Sequence, residues 1–324
     1  MRILVPVDGS ASSKRIIEFL GSRQSLLGDK ADIELLNVQY SIPEGIVQRF
    51  GLEAVKEVYE AEGQAIFEKL APELEAAGLD CKKKVLYGDF GRAIAREAEA
   101  FDADLVVMGT RGLSPIKSFF LGSVSNSALQ YTMRPMLLIR DVVPVLKANL
   151  RVAIASDGSE YALRGAKFIA EHHAIFGSNP KVSVVNVAPD FRTIVAGSEM
   201  DFANPVDSPE IFAKEQEKLF KEATEPVVAA LKAEGIAADA IRLEGDAGEA
   251  LTDWAKENAD LLIMGSHGYG NFTARRSRFD RNEDRFGLRP ADSDRAQVKR
   301  LGRRPGDVPG LNTPKRSCLL NSRH

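Results

Sequence analysis

The sequence predicts an α/β fold made of two tandem, doubly wound (Rossmann-like) parallel-sheet domains, and three observations support this. Residues 2–20 align with residues 151–169, and IELLNV ending at Val38 aligns with VSVVNV ending at Val187, both at a distance of 149 residues. Short β-branched runs alternate with amphipathic stretches, which is typical of βαβ units. The runs LVVM and LLIM are apolar at every position, as expected for strands covered by helices on both faces.

The repeat continues, with a longer spacing, into the second half of each copy. YGDFGRAIAREAEAFDADLVVMGTRG matches EGDAGEALTDWAKENADLLIMGSHG, which places Gly88 on Gly245 and Gly109 on Gly265. The distance has grown to 157 and then 156 residues, so an insertion of about eight residues lies in residues 188–209 of the second copy.

Within the first copy, five strands and four helices are predicted in alternation. The strands lie near residues 3–7, 33–38, 83–87, 105–108 and 136–139, and the helices near residues 12–27, 50–77, 92–101 and 123–131. Residues 142–149 follow the last strand and contain Pro144, so we predict a linker there between a first domain at residues 1–141 and a second at residues 150–273.

Composition excludes some classes of protein. A chain of 324 residues with 44% apolar and 27% charged residues has the size and composition of a two-domain globular protein. No apolar run approaches the length of a membrane helix, and MRILVPVDGS does not resemble a secretory signal, so we expect a cytoplasmic protein with no membrane partner. Cys81 and Cys318 show no disulfide or zinc spacing.

Glycines mark a candidate anion site in the first copy. Gly109, Gly112 and Gly122 follow a G-x2-G-x9-G pattern that ends in Ser123. In open α/β sheets, ligands bind at the carboxyl ends of strands, and helix N-termini favour phosphate. Arg111 and Lys117 could add positive charge. Turn glycines and a helix cap remain an alternative reading, as does a turn and N-cap role for Asp8 after the first strand.

These motifs resemble the universal stress protein family. The resemblance rests on VPVDGS, GDFGRAI, ADLVVMGTRG, GSVS and RPMLLIR, and it extends to about residue 273. It implies five-stranded sheets of order 3-2-1-4-5 and an ATP site, with ATP bound with or without Mg²⁺. By this resemblance, Asp8 and Val38 would hold adenine, and Gly109, Arg111 and Gly112 would flank ribose and phosphate. Gly122, Ser123, Val124 and Ser125 would surround the phosphates, and the remaining implied nucleotide-binding residues are Pro6, Val7 and Met108.

The second copy loses the pattern after its fourth strand. It keeps Asp157, Val187, Gly265 and Gly268, but Arg278 stands where the third glycine is required, and nothing like GSVS or RPMLLIR follows. We therefore predict a second domain that lacks its last helix and strand, with the phosphate half of its site missing.

The remaining residues, 274–324, form a basic tail of different composition. Residues 275–324 carry 12 Arg and 2 Lys against 6 Asp and Glu residues, a net charge of +8 in a chain of net charge −3. Three explanations stay open: a frameshift near codon 274, a genuine basic segment that binds an acidic partner or nucleic acid, and a disordered solvated tail. The arginines show no aromatic interleaving that would favour nucleic acid.

A missing last strand would leave sheet edges open. The apolar strand at residues 261–264 would become an edge, and the strand at residues 136–139 would lack the partner that tandem family members typically give it. We therefore expect a homodimer through that strand, or poor solubility.

The functional expectation is an ATP-binding stress-response protein whose first domain holds the nucleotide and whose role is regulatory or protective rather than strongly catalytic. Phosphoryl transfer needs a positioned base and usually a metal ion, and no histidine or carboxylate pair lies near the glycine loop in the sequence. A nucleotide-independent scaffold is the alternative. A nucleotidyl transferase of related fold is expected to carry an HxGH-like signature after the first strand, and the sequence VPVDGSASS at that place does not contain one.

Overall fold

The structure is a computed structural model that describes residues 1–27, 31–110, 122–139, 147–188, 209–265 and 317–320, with backbone alone for residues 209–212 and 317–320. Strands and helices alternate along the chain as the repeat predicts. The first domain contains β1 (Arg2–Pro6), α1 (Ala11–Leu27), β2 (Asp32–Gln39), α2 (Glu44–Phe50), α3 (Leu52–Ala77), β3 (Lys82–Tyr87), α4 (Phe90–Ala100), β4 (Leu105–Gly109), α5 (Ser123–Tyr131) and β5 (Met136–Ile139).

The second domain repeats this order with fewer described elements. It contains β6 (Arg151–Ala155), α6 (Glu160–Glu171), a 3₁₀ turn (His173–Ile175), β7 (Lys181–Ala188), α7 (Pro209–Ala233), β8 (Ala238–Glu244), α8 (Ala247–Asn258) and β9 (Leu261–Gly265). A short strand, β10 (Ser317–Leu320), comes from the basic tail. The insertion predicted near residues 188–209 falls mostly outside the described residues.

All five strands of the first domain are parallel, in the order β3-β2-β1-β4-β5. The second domain has the parallel order β8-β7-β6-β9. The predicted strand order is therefore confirmed. The short helix α2 was missed, because the sequence analysis treated its residues as a connecting loop.

The expectation of open edges at β5 and β9 is wrong, because β10 lies between these two strands. This strand runs parallel to β5, with Cys318 opposite Met136, and antiparallel to β9, with Cys318 opposite Met264. It joins both domains into one ten-stranded sheet. Because β5 then has a neighbour on each side, the homodimer expected through β5 loses the free edge on which it depended. The rest of the predicted disordered tail, and the predicted loss of the last helix, lie outside the described residues.

Helices cover the two faces of the sheet and bury its apolar side chains. On one face α1, α3, α6 and α7 contribute to a single cluster that spans both domains, with Phe19, Phe67, Phe176 and Leu231 among its members. On the other face each domain has its own cluster, under α4 and α5 in the first domain and under α8 in the second. The all-apolar strands β4, β5 and β9 are buried in this way, as predicted.

Arg23 ties the first domain to the linker. This α1 side chain is 1% exposed and lies over the ring of Phe19 at 5.7 Å. Its Nη2 donates to the carbonyl oxygen of Lys147 at 2.5 Å, and its Nη1 donates to that of Ala148 at 3.4 Å. A guanidinium with several fixed donors can satisfy both carbonyls of a chain turn at once.

The amino ends of the equivalent strands β1 and β6 are anchored by equivalent carboxylates. Asp104 accepts a hydrogen bond from the backbone N–H of Arg2 at 2.7 Å, and Asp260 accepts one from that of Arg151 at 2.9 Å. Asp260 is fully buried and also holds Lys147 Nζ at 3.0 Å. These repeated contacts fix the register between the first and fourth strands of each domain.

Candidate functional site

The carboxyl edge of the first sheet brings several predicted site residues together. Pro6 ends β1, Val38 lies near the end of β2, and Gly109 ends β4. Val7 and Asp8 follow β1 directly, and α5 begins at Ser123. Parallel strands end at the same edge of a sheet, which is where doubly wound folds bind ligands. Arg111, Gly112 and Lys117 lie outside the described residues.

Asp8 organises the turn that leads into α1. Its Oδ1 accepts hydrogen bonds from the backbone N–H of Ser10 at 3.0 Å and from Oγ of Ser13 at 2.9 Å, while its own N–H donates to Ser13 Oγ at 3.0 Å. Gly9 has a φ of +70°, a conformation that favours glycine. The turn role considered for Asp8 is therefore present, whereas the N-cap position belongs to Ser10, because α1 begins at Ala11; the Asp8 side chain lies exposed at the sheet edge.

Asn37 positions the neighbouring strand end, and the sequence analysis missed it. Its Nδ2 donates to the carbonyl oxygen of Val7 at 2.8 Å, and its Oδ1 accepts from Gln39 Nε2 at 2.7 Å. The repeat contained the signal, because Asn186 stands at the equivalent position and donates to the carbonyl oxygen of Ser156 at 2.8 Å. Val38 itself is half-buried against the cluster under α4 and α5.

Gly109 is held against α1. A Cβ at this position would lie 2.1 Å from Oγ and 2.7 Å from Cβ of Ser12. Contacts under 3.0 Å at an anchored Cβ require the backbone to move, so glycine is needed for packing whether or not a ligand approaches. Met108, the preceding residue, is buried.

The N-terminus of α5 has the features of an anion site. Gly122 is its N-cap residue and, as a glycine, has no side chain to cap the helix. The N–H groups of Ser123, Val124 and Ser125 fall in the first turn, where no intrahelical carbonyl can accept them. Ser123 and Val124 are exposed, whereas Ser125 is buried and donates to the carbonyl oxygen of Gly109 at 3.3 Å. The Ser125 bond ties this helix end to the end of β4.

The donors at this edge fit a phosphate group better than a metal ion. Backbone N–H groups and serine hydroxyls at a helix N-terminus suit an anion. Across the described residues, no group of three or more His, Cys, Asp or Glu side chains is arranged to hold a metal ion.

The second domain keeps the strand ends but alters their surroundings. Asp157 Oδ1 accepts from the N–H of Ser159 at 3.0 Å, as Asp8 does from Ser10. However, Tyr161 takes the place of Ser12, and a Cβ on Gly265 would lie 2.7 Å from its Cβ and 2.8 Å from its Cγ. A large aromatic side chain therefore lies against the end of β9. Gly268 and Arg278 lie outside the described residues.

The fold and this edge define a class: tandem, doubly wound α/β domains with a glycine-containing strand-to-helix edge. The family model of the "Universal stress protein family" matches residues 1–140 and again residues 149–278. The chain therefore belongs to the universal stress protein family, as a member with two copies of the domain. The family resemblance noted from VPVDGS and ADLVVMGTRG is confirmed.

Individual relatives agree with this assignment. A universal stress protein of Synechocystis sp. is 30% identical over 154 residues, which is 43% of this chain and 97% of the relative. One of Thermus aquaticus is 31% identical over 142 residues, also 43% of this chain and 97% of the relative. A crystal structure of a universal stress protein from Archaeoglobus fulgidus covers 84% of this chain and 89% of its own, with a TM-score of 0.56 and 23% identity, and supports the fold.

Among the helices that the structure describes, none combines the length and hydropathy needed to cross a bilayer.

Proposed function

We propose that the first domain binds a nucleotide at its carboxyl edge, with ATP as the preferred ligand. The observation that carries this proposal is the α5 N-terminus, where Ser123 and Val124 are exposed and the buried Ser125 donates to the carbonyl oxygen of Gly109. Phosphates would bind to Gly122, Ser123, Val124 and Ser125. The base would lie toward Asp8 and Val38, over the ends of β1 and β2.

The proposed role is regulatory or protective, in a cytoplasmic stress response. Nucleotide hydrolysis would be weak, since Asp8 and Asp89, two carboxylates that follow strands at this edge, are engaged in the turn before α1 and in capping α4. Asp8 already accepts two hydrogen bonds within its own turn. A group engaged in this way serves to shape a site more readily than to abstract a proton.

Isothermal titration calorimetry of the full chain with ATP tests the proposal, together with a double variant, Gly122→Val with Ser123→Ala. We expect binding by the parent and a loss of at least tenfold in the variant, because a β-branched side chain at the N-cap would obstruct a phosphate there. Gln130→Ala, on the exposed last turn of the same helix, is the matched control. Absence of binding by the folded parent would refute the nucleotide proposal.

A second pair of variants compares the two domains. Asp8→Asn and Asp157→Asn change equivalent turns, so their effects on folding should be similar. Only the Asp8 variant should weaken nucleotide binding if the first domain holds the ligand. Equal losses would instead assign binding to both domains.

The alternative is a nucleotide-independent interaction protein, and one observation favours it. Tyr40, Phe50 and Val58 are 71%, 59% and 57% exposed, on and beside α2 and α3 of the first domain. Exposed large apolar side chains can serve in partner contacts. This reading predicts that the Gly122→Val, Ser123→Ala variant retains function, whereas changes to the three exposed side chains impair it.

A further inference from the structure

Two carboxyl groups are buried together under α4, away from the candidate nucleotide site. Glu34 on β2 is 7% exposed, and its Oε1 has no hydrogen-bond partner among the described residues. Glu97 on α4 is 5% exposed, and its Oε1 accepts from Lys84 Nζ of β3 at 2.7 Å. The side chain of Glu34 lies within hydrogen-bonding reach of Glu97.

We propose that Glu34 and Glu97 share one buried proton, and that loss of this proton loosens the packing of α4 on the sheet of the first domain. Glu97 accepts a hydrogen bond from Lys84 in an ion pair, and Glu34 carries the proton and donates it to Glu97. Two carboxylates in such proximity cannot both ionise without a large penalty, because burial and like-charge repulsion act in the same direction.

The charged groups around this pair include one further cation, Lys82, which lies opposite Glu34 and whose attraction is the weakest of the influences on the pKa of that carboxyl group. Lys82, also on β3, pairs with Asp32 at 2.8 Å, and its ammonium group lies over the ring of Phe101. Arg2, on β1, pairs with Asp102 at 2.7 Å. On α4, Arg92, Arg96 and Glu99 are exposed, so Glu97 is the titratable group of that helix that is buried with Glu34.

The direction of the titration supports this arrangement. Burial raises the pKa of Glu34 above its ordinary value of 4.5, repulsion from Glu97 raises it further, and attraction to Lys84 opposes both. The folded domain thus retains a proton that the unfolded chain releases near the ordinary value. The contribution of Glu34 to stability is complete below pH 4.5 and is lost as the pH rises through the raised pKa.

The second domain provides an internal control. Ser183 lies opposite Ala153 as Glu34 lies opposite Leu4, and Ile241 lies opposite Val185 as Lys84 lies opposite Leu36. Asp89 is the N-cap residue of α4 and Asp246 is that of α8. Glu97 and Trp254 follow their N-cap residues at the same distance in sequence, so Trp254 takes the place of Glu97. The same position under α8 is therefore occupied without any carboxyl group, so α8 should not share the pH response.

The cluster is connected to the candidate site through helix packing. A Cβ on Gly91 of α4 would lie 2.7 Å from the backbone carbonyl carbon of Ser127 of α5, so the two helices are in direct contact. Loosening α4 would therefore disturb α5, whose N-terminus carries the candidate phosphate site. This consequence, a weaker nucleotide affinity at higher pH, rests on the proposed function, whereas the proton-sharing pair does not.

Hydrogen exchange of the full chain without nucleotide, measured by mass spectrometry from about pH 5 to about pH 8, tests the proposal. After correction for intrinsic exchange, protection of α4 should fall with pH by up to about tenfold per pH unit, the limit for one proton. Protection of α8 should stay constant. In Glu34→Gln the α4 response should disappear, and in Glu62→Gln, an exposed change on α3, it should remain.

Infrared spectroscopy gives an independent measurement. At about pH 5, above the ordinary glutamate pKa, the parent should show a stronger carbonyl stretch of protonated carboxylic acid than Glu34→Gln does. A parallel response of α4 and α8, or an unchanged response in Glu34→Gln, would overturn the proposal. If ATP fails to bind at every pH while the α4 response persists, the nucleotide function fails and the proton-sharing pair stands.

Discussion

Ser12 of α1 lies directly against Gly109 at the end of β4, so that a Cβ on Gly109 would come within 2.7 Å of the Cβ of Ser12. The two residues are 97 positions apart in sequence. Their contact sets how closely the first helix approaches the strand end beside the candidate site. Glycine at this position therefore has a packing role that is separate from any approach of a ligand.

We expect Gly109→Ala to destabilise the first domain by about 1–3 kcal/mol, the usual effect of overpacking a close contact. Gly45→Ala is the matched control, since a Cβ there meets no atom within 4 Å and the residue lies in α2. Urea denaturation of both variants provides the measurement. Full stability of Gly109→Ala together with lost nucleotide binding would show instead that this glycine serves the ligand alone.

The strand order was implied by the resemblance to the family, whereas the strands, the helices and the edge where the site residues meet were predicted from the sequence itself. These elements follow from patterns that recur within each copy, such as the apolar runs of β4 and β9 and the Asp-Gly turns at Asp8 and Asp157. Local periodicity and turn chemistry carry this information directly.

The features that the sequence could not show depend on contacts between distant residues. Glu34 lies in an otherwise apolar strand, and its environment requires Lys84 and Glu97, which are 50 and 63 residues further along the chain. The strand β10 lies in a stretch without strand periodicity, and its place is defined by the vacant position between β5 and β9. Neither arrangement has a signature in a window of neighbouring residues.

Removal of the guanidinium at Arg23 should loosen the connection between the first domain and the linker. Arg23→Met retains most of the buried side-chain volume but leaves the carbonyl groups of Lys147 and Ala148 without these donors, at a cost of about 1–3 kcal/mol. Arg96→Met, an exposed change on α4, is the control. Limited proteolysis should cut the Arg23 variant faster within residues 141–149, and equal cleavage of the two variants would contradict this role.

Asp260 should be important for the stability of the second domain down to acid pH. Burial alone would raise the pKa of this carboxyl group, but hydrogen bonds from Arg151 and Lys147 outweigh burial and hold its pKa below the ordinary value of 3.8. Because the folded pKa is the lower one, the stabilisation is present above pH 3.8 and is lost as the pH falls through that lowered pKa.

Asp260→Asn should therefore destabilise the protein at neutral pH by about 3–5 kcal/mol, because Lys147 and Arg151 lose a buried counter-ion. The equivalent change in the first domain, Asp104→Asn, should cost less, since Asp104 is only half-buried. Thermal unfolding followed at neutral and acid pH compares the two variants. Equal destabilisation by both variants would mean that the buried contacts of Asp260 add no stability beyond that provided by the half-buried Asp104.

The thiol of Cys81 should resist alkylation in the folded protein. Burial raises its pKa to about 11, with a smaller contribution from the negative charge of Asp80, so the reactive thiolate is scarce at neutral pH. In a Cys318→Ser background, iodoacetamide at about pH 8 should label Cys81 at least tenfold more slowly in the native protein than in urea, where the thiol regains an ordinary pKa. Native labelling as fast as in urea would show that Cys81 is accessible and that the segment directly before β3 opens readily. Lysine neighbours do not reverse this expectation, because the attraction of Lys83 to the thiolate is the smallest of the three effects on this group.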